Sequence, residues 1–233
     1  MPSLRIRPAG HGKSARAAVK RSRCIGISDQ WVIATFPSRR YDIENYPAVK
    51  KYLLSFGRER LEQTGKEYLI DGKKIKARKR TNNKWFETQD TISYWDDFSK
   101  QKIAWGNLCL KAQYAYIDDA YFVNNPANII VPGDKYLLAI LNSSIADFYI
   151  RNLGVTRNGG YFEYKPMFIE QLPIPEVDIN QKNDIIRLSD SIISSINNSK
   201  NTLHLELKIN SIIYNLFKFS PTEIEIIEKY AYN

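Results

Sequence analysis

Apolar and polar positions change their spacing several times along the chain. Trp31–Phe36 is a continuous apolar and β-branched run followed by a proline, and it predicts a strand. Apolar residues then repeat at i, i+4 and i+7 from Val49 to Phe56, behind Pro47, a residue suited to a first helical turn. The first elements predicted are therefore a strand and an amphipathic helix.

The strongest local signal is a β-hairpin. Two short strand-forming runs, Glu67–Ile70 and Lys73–Lys76, flank the dipeptide Asp71-Gly72. A type I′ turn needs positive φ at both of its central residues, and Asp-Gly adopts that conformation readily. We therefore expect a tight hairpin here.

The remaining pattern separates sheet from helix. Short aromatic and β-branched runs alternate with turn residues over 84–132, which predicts a meandering sheet. Helical spacing over 136–153 predicts one helix packed on the core. After Pro173–Pro175, two amphipathic patterns predict a helical hairpin, and a third helix begins at Ser220 with Glu223 completing a capping box.

Together these patterns predict an α+β fold. Residues 24–175 form a mixed, largely antiparallel sheet domain with flanking helices, and 176–233 form a helical C-terminal subdomain. The chain has no apolar run near the roughly eighteen residues of a membrane span and no secretory signal, so we expect no membrane partner and a cytoplasmic protein.

The formal charge of +9 is concentrated at the start of the chain. Residues 1–23 hold 7 of the 34 basic residues and no acid, which leaves 27 bases against 25 acids in the body. This tail has too little apolar surface to fold and is predicted to be disordered. Its composition favours a leader that was introduced by cloning or mistranslation, with a native basic arm as the alternative.

Most catalytic classes lack their residues. With two cysteines and two histidines, the chain offers no disulfide framework and no zinc cluster. It has no Gly-rich phosphate or cofactor loop and no Asn/Asp-Pro-Pro-aromatic sequence for amino-group methylation. We therefore expect no catalytic, cofactor or metal residues. One alternative stays open: Asp71 and Lys73 match half of a metal-dependent nuclease signature.

A cluster of basic residues follows the predicted turn and is the main candidate site. Seven bases lie within twelve residues of a nearly neutral body, accompanied by two asparagines that can contact phosphates or base edges. The candidate DNA-contacting residues are Lys73, Lys74, Lys76, Arg78, Lys79, Arg80, Asn82, Asn83 and Lys84. Such focused charge favours phosphate contact. A solvated charged loop is the alternative.

A second candidate is the loop Arg157–Tyr161. Arg157 and Asn158 precede two glycines and Tyr161, which places an arginine and an asparagine on a flexible turn beside an aromatic ring. Arginine can bond guanine and asparagine can bond adenine through two hydrogen bonds in the major groove. A plain turn explains the same residues, so both interpretations stay open.

Several motifs, taken in order, resemble one family. They are Lys84–Gln89 (KWFETQ), Lys102–Trp105 (KIAW), Leu138–Ser143 (LAILNS) with Phe148-Tyr149, Gln171–Pro175 (QLPIP), Ile209–Phe217 and Ser220–Glu228. This order resembles the C-terminal specificity domain of TaqI-like adenine-N6 DNA methyltransferases and of the related single-chain type IIG restriction enzymes. The resemblance covers roughly residues 30–230.

The resemblance implies a target-recognition domain that binds double-stranded DNA and catalyses nothing alone. In such enzymes, a separate N-terminal domain binds S-adenosylmethionine, flips an adenine and methylates it. The implied partners are DNA and a methyltransferase catalytic domain or subunit, and no cofactor is expected in this chain. The alternatives are a separate specificity subunit that docks a methyltransferase through its C-terminal helices, and the small nuclease.

Overall fold

The elements follow the predicted order of short strands before long helices. The computed structural model describes residues 7–9, 30–111, 113–117, 121–123 and 127–232. The α+β class is confirmed. The described residues separate into two units, the first containing residue 7 and 31–95 and the second containing 8–9, 30 and those from 96 to 232. Strands β1 (Arg7–Ala9) and β2 (Gln30–Val32) come first. The rest of the basic tail lies outside the described residues, so its disorder stays a prediction.

The first unit combines short helices with a hairpin. Its elements are 3₁₀ turns at Pro37–Arg39 and Ile43–Asn45, helices α1 (Pro47–Leu54) and α2 (Arg58–Leu61), and strands β3 (Glu67–Ile70) and β4 (Lys73–Lys76). Pro47 occupies the first turn of α1, as predicted. A small apolar cluster of Ile43, Val49, Trp85 and Phe86 is buried beneath these elements.

The hairpin prediction is confirmed in its turn geometry. Strands β3 and β4 are antiparallel, and their register pairs Ile70 with Lys73 across the turn. Asp71 has a φ of 49° and Gly72 a φ of 75°, so both central residues are left-handed as a type I′ turn requires. Local turn chemistry thus specifies this element.

The second unit contains two small three-stranded sheets. Its strands are β5 (Lys102–Gly106), β6 (Leu108–Cys109), β7 (Ala115–Ile117), β8 (Ala127–Ile130), β9 (Thr156–Arg157) and β10 (Tyr161–Glu163), after a 3₁₀ helix at Trp95–Ser99. The strand orders are β7-β5-β8 and β6-β10-β9, and all four pairings are antiparallel. The apolar central strand β5 is buried, as the run Ile103–Trp105 requires.

Helices cover this sheet region and supply most of the core. They are α3 (Lys135–Leu141), α4 (Ser144–Leu153), α5 (Pro166–Ile169), α6 (Ile179–Asn197), α7 (Leu203–Phe217) and α8 (Pro221–Tyr232). Ile140, Ile150, Ile185 and Ile213 are fully buried in one cluster that includes residues of α3, α4, α6 and α7. The predicted capping box is present, because Ser220 N donates to Glu223 Oε2 (2.7 Å) and Glu223 N donates to Ser220 Oγ (3.4 Å).

The single helix predicted over 136–153 is wrong in one respect, because it is broken. Helix α3 ends at Leu141, and Ser143 caps the next helix by accepting a hydrogen bond from Ala146 N at 3.3 Å. The Asn142 side chain donates to Tyr114 O (2.9 Å) and accepts from Tyr114 N (3.1 Å). Asn142 therefore bonds a distant backbone segment at the break between the helices.

Some predicted strands are also shorter or absent. The run Trp31–Phe36 leaves the strand after Val32. Trp85-Phe86 and Ser93-Tyr94 form turns, and Trp95 begins the 3₁₀ helix. Contacts group the helices after residue 176 with 96–175, whereas the sequence pattern divides the chain at 175. Independent folding of 176–233 stays a prediction. In the described part of the chain, none of the helices combines the length and hydropathy needed to cross a bilayer.

Candidate nucleic-acid interface

Residues Lys73–Lys84, here called the basic segment, do not share one surface. Cross-strand pairing places Lys74 and Lys76 on one face of the hairpin and Lys73 on the other. Lys79 and Arg80 are exposed in the connection that follows β4. The sequence cluster is thus divided between both faces of a ribbon and the chain beyond it.

Arg78 points inward, in contrast to its neighbours. Its Nε and Nη2 donate to Leu61 O at 2.8 and 2.6 Å, and Nη1 donates to Glu87 O at 2.9 Å. Nη2 also donates to Trp85 O. Burial lowers the pKa of Arg78, and the charge of Glu62 offsets part of that effect. Because four of its N–H groups bond backbone carbonyls, this guanidinium has no pair of donors left for a phosphate. Arg78 therefore stabilises the loop.

Gln63 is a second brace, and sequence reasoning missed it. It is only 4% exposed, and its Nε2 donates to Lys84 O (3.0 Å) and Glu87 O (2.7 Å). Its Oε1 accepts from Thr81 Oγ1 at 2.6 Å. The buried Glu87 carboxylate accepts from Lys84 N at 2.7 Å. These bonds set the path of the loop and leave the Lys84 side chain exposed.

The two candidate asparagines have different environments. Asn83 Nδ2 donates to Thr88 O and Gln89 O, each at 3.0 Å, and the residue is half-buried. Asn82 is exposed. Only Asn82 therefore has its amide donors available to a ligand.

The second candidate loop lies in the other unit, and one carboxylate partly compensates its positive charge. Arg157 Nη2 lies 2.6 Å from Glu163 Oε1, and Lys165 Nζ lies 2.6 Å from Glu163 Oε2. Hydrogen bonds from Lys165 and Arg157 lower the pKa of Glu163. Asn158 is exposed at the turn, and half-buried Tyr161 pairs with Arg157 across β9 and β10.

A buried polar cluster supports this second loop, and no sequence pattern indicated it. Tyr164 OH donates to Asp147 Oδ1 at 2.7 Å, while Arg151 Nε donates to Tyr164 OH at 3.1 Å. Burial raises the pKa of Tyr164, and the charge of Asp147 adds to the increase. Burial alone would lower the pKa of Arg151, but Tyr164 and Asp147 raise it. The cluster is internal and positions the start of α5.

Asp71 and Lys73, the residues of the nuclease alternative, are not part of a metal-binding group within the described residues. Asp71 lies at the exposed hairpin tip, with Lys73 on the adjoining strand. Across the described ranges, no three His, Cys, Asp or Glu side chains meet in a group that could hold a metal ion. Burial raises the pKa of the Cys109 thiol to about 11, so that side chain is no ready nucleophile.

The motifs that carry the family resemblance belong to the scaffold. Trp85 and Phe86 are in the core of the first unit, and the Arg58 guanidinium lies 4.5 Å over the Trp85 ring. In the second unit, Trp105 Nε1 donates to Tyr164 O at 2.7 Å, and Tyr136 OH donates to Pro175 O at 2.6 Å. The buried residues of these motifs therefore specify the framework, and exposed candidates such as Lys79, Arg80 and Lys84 extend from it.

Comparison with known families identifies the domain to which most of the chain belongs. The family model of the TaqI-like C-terminal specificity domain matches residues 40–174, which is more than half of the chain. The matched range includes the basic segment, the Arg157–Tyr161 loop and all the scaffold motifs up to Ile174. No curated protein matches the chain.

Proposed function

Because the chain belongs to the family of TaqI-like C-terminal specificity domains, we propose that it reads a specific sequence in double-stranded DNA. It acts as the specificity part of a restriction-modification adenine-N6 DNA methyltransferase or type IIG restriction enzyme, and it catalyses nothing alone. The family match supports a DNA-recognition role in restriction-modification systems. The assignment to an adenine-N6 methyltransferase or a type IIG enzyme also draws on the motifs named above. We propose the prokaryotic cytoplasm as its location.

The exposed cations of the basic segment provide the affinity in this proposal. Lys74, Lys76, Lys79, Arg80 and Lys84 are exposed, and no ion pair within the described residues neutralises them. Lysine and arginine contacts to phosphates release counterions, and they fix the register of a protein on the duplex. Arg78 and Asn83 are left out of this set, because their donors already bond to the backbone.

Sequence choice requires groups that reach base edges. Asn82 follows the cations of the basic segment in the first unit, and Asn158 and Tyr161 follow Arg157 in the second; these are the candidate side chains. Asparagine can bond the N6 and N7 positions of adenine through two hydrogen bonds. In the assembled enzyme, S-adenosylmethionine binds to a separate catalytic domain or subunit, which also performs the methyl transfer.

A second candidate is a free-standing specificity subunit that docks a methyltransferase through its C-terminal helices. Leu203 and Leu207 favour it, because they lie one turn apart on α7 and are 53% and 46% exposed. Replacing both leucines by lysine should abolish co-purification with a methyltransferase encoded beside this gene and leave DNA binding intact. An upstream methylase domain in the same reading frame would exclude this version.

The main proposal is tested by fluorescence anisotropy with a labelled mixed-sequence duplex over a series of salt concentrations. We compare Lys79, Arg80 and Lys84 replaced together by alanine with a control in which Lys200, Lys208 and Lys229 are replaced. The control side chains are also exposed, and the charge change is the same. We expect affinity to fall at least tenfold in the first variant only, with its salt slope reduced by about 0.9 per lost phosphate contact. Binding that ignores salt, or equal losses in both variants, would overturn the proposal.

A further inference from the structure

The β3–β4 hairpin projects from the first unit. No residue from Thr64 to Lys76 is buried, although four of the eight strand residues are apolar or aromatic. The inner side is held locally, since Tyr68 OH lies 3.2 Å from Thr64 Oγ1. The ribbon therefore presents most of its surface to solvent.

The two faces of the ribbon differ in composition. Tyr68, Ile70 and Ile75 are half-buried on the inner face. The outer face carries Glu67 and Leu69 on β3, opposite Lys76 and Lys74 on β4. Leu69 is 73% exposed, the largest value among the exposed large apolar side chains of the described chain. An aliphatic side chain is therefore presented to solvent directly beside a lysine.

The dimensions and charges of the ribbon fit the major groove. That groove is about 12 Å wide and 8.5 Å deep and admits a two-stranded β-ribbon. Four residues per strand span about 13 Å, which exceeds the groove depth. The tip carries Asp71, and a carboxylate is repelled by phosphates but can accept a hydrogen bond from the amino group of cytosine. The tip is therefore better suited to base edges than to the DNA backbone.

Given the DNA binding proposed above, we propose that this hairpin enters the major groove and that Leu69 packs against the 5-methyl group of a thymine. Lys74 and Lys76 then lie on the same face, where they reach the flanking phosphates. Thymine is the base whose methyl group is exposed in the major groove, so an apolar side chain can distinguish it there. Leu69 is on this basis a specificity-determining residue.

The experiment removes the methyl group from the DNA and the leucine from the protein. The full chain first selects a duplex from a pool whose central positions are randomised. The selected duplex is then synthesised in two versions, one with thymine and one with uracil. Uracil lacks only the 5-methyl group. Wild-type protein should bind the uracil duplex about fourfold more weakly, the value of one buried methyl group. The Leu69→Ala variant should bind the thymine duplex about fourfold more weakly and should not distinguish the two duplexes.

Ile226→Ala is the matched control, because Ile226 is also an exposed aliphatic residue (56%) but lies on α8. It should behave as wild type on both duplexes. Circular dichroism should be unchanged in both variants, because neither Leu69 nor Ile226 is buried. The inference is overturned if Leu69→Ala and wild type respond equally to uracil, or if the selected duplexes share no thymine. Failure to bind any duplex would instead overturn the proposed DNA-binding function.

Discussion

Two basic regions of this protein use their charge differently. In the basic segment, Lys79 and Arg80 are exposed and no ion pair within the described residues holds them. In the second unit, Arg157 and Lys165 share the carboxylate of Glu163, at 2.6 Å each. The first region therefore offers uncompensated charge. In the second region one carboxylate offsets only half of the charge of two cations, and an exposed asparagine lies beside them.

This contrast shows that a run of cations in a sequence does not define a binding surface. The basic segment contains Arg78, whose head group bonds three backbone carbonyl groups, directly before exposed Lys79. Partners inside the fold decide which cations remain available to a polyanion. In the proposed function the basic segment provides affinity, and the loop Arg157–Tyr161 provides candidate base contacts.

Replacing Arg78 by alanine should have the largest effect on this contrast. The change leaves the carbonyls of Leu61 and Trp85 without their arginine donor and leaves Glu87 O with Gln63 Nε2 alone. It should lower the free energy of unfolding by about 3 kcal/mol. Urea unfolding followed by tryptophan fluorescence measures the change. Lys79→Ala is the control and should cost less than about 0.5 kcal/mol. If the two variants are equally stable, Arg78 is no brace.

Neighbouring Asn82 and Asn83 provide a smaller and closely matched comparison. Asn83→Ala removes hydrogen bonds to Thr88 O and Gln89 O and should cost about 1–2 kcal/mol in urea unfolding. Asn82→Ala should leave stability unchanged and weaken duplex binding in anisotropy. The reverse result, with stability dependent on Asn82, would contradict the assigned environments of the two side chains.

Glu163→Gln should have the smallest effect of the three changes. It should leave the cations of the second region unpaired, as they are in the basic segment. Removing the carboxylate releases Arg157 and Lys165, and we expect duplex binding to strengthen about threefold at low salt and to be unchanged near 1 M salt. Because the pKa of Glu163 is lowered in the fold, the pairing contributes stability above the unfolded pKa and is lost as pH falls through the folded pKa. Thermal unfolding of the variant should therefore lack this acid dependence. Unchanged binding at low salt would show that the loop does not approach DNA.

Local signals in the sequence were sufficient for several elements. The turn at Asp71-Gly72 and the cap of α8 at Ser220 depend on neighbouring residues alone, and both are present. The break between α3 and α4 was missed because Asn142 bonds to Tyr114, which is 28 residues away. Hydrophobic spacing continues across that break, so periodicity could not locate it.

The sequence indicated which segment holds the candidate site, but it did not indicate which of its side chains face inward. The carbonyls around Arg78 converge only after α2 and the loop at Trp85 have folded, so no spacing indicated its orientation. Glu163 was predictable in principle. The glycine pair at 159 and 160 predicts a tight turn, and a hairpin register would have placed Glu163 diagonally opposite Arg157.

The shared core of the second unit limits how recognition could be exchanged between enzymes. Helices α6 to α8 lie beyond the matched family range, yet Ile185 and Ile213 are buried in the same core as Ile140. Asn210 of α7 also bonds Ser144, with Nδ2 to Oγ at 3.0 Å. A chimaera that received only residues 40–174 would expose this apolar surface to water and would be prone to aggregate. A functional domain exchange would have to include helices α6 to α8 together with residues 40–174.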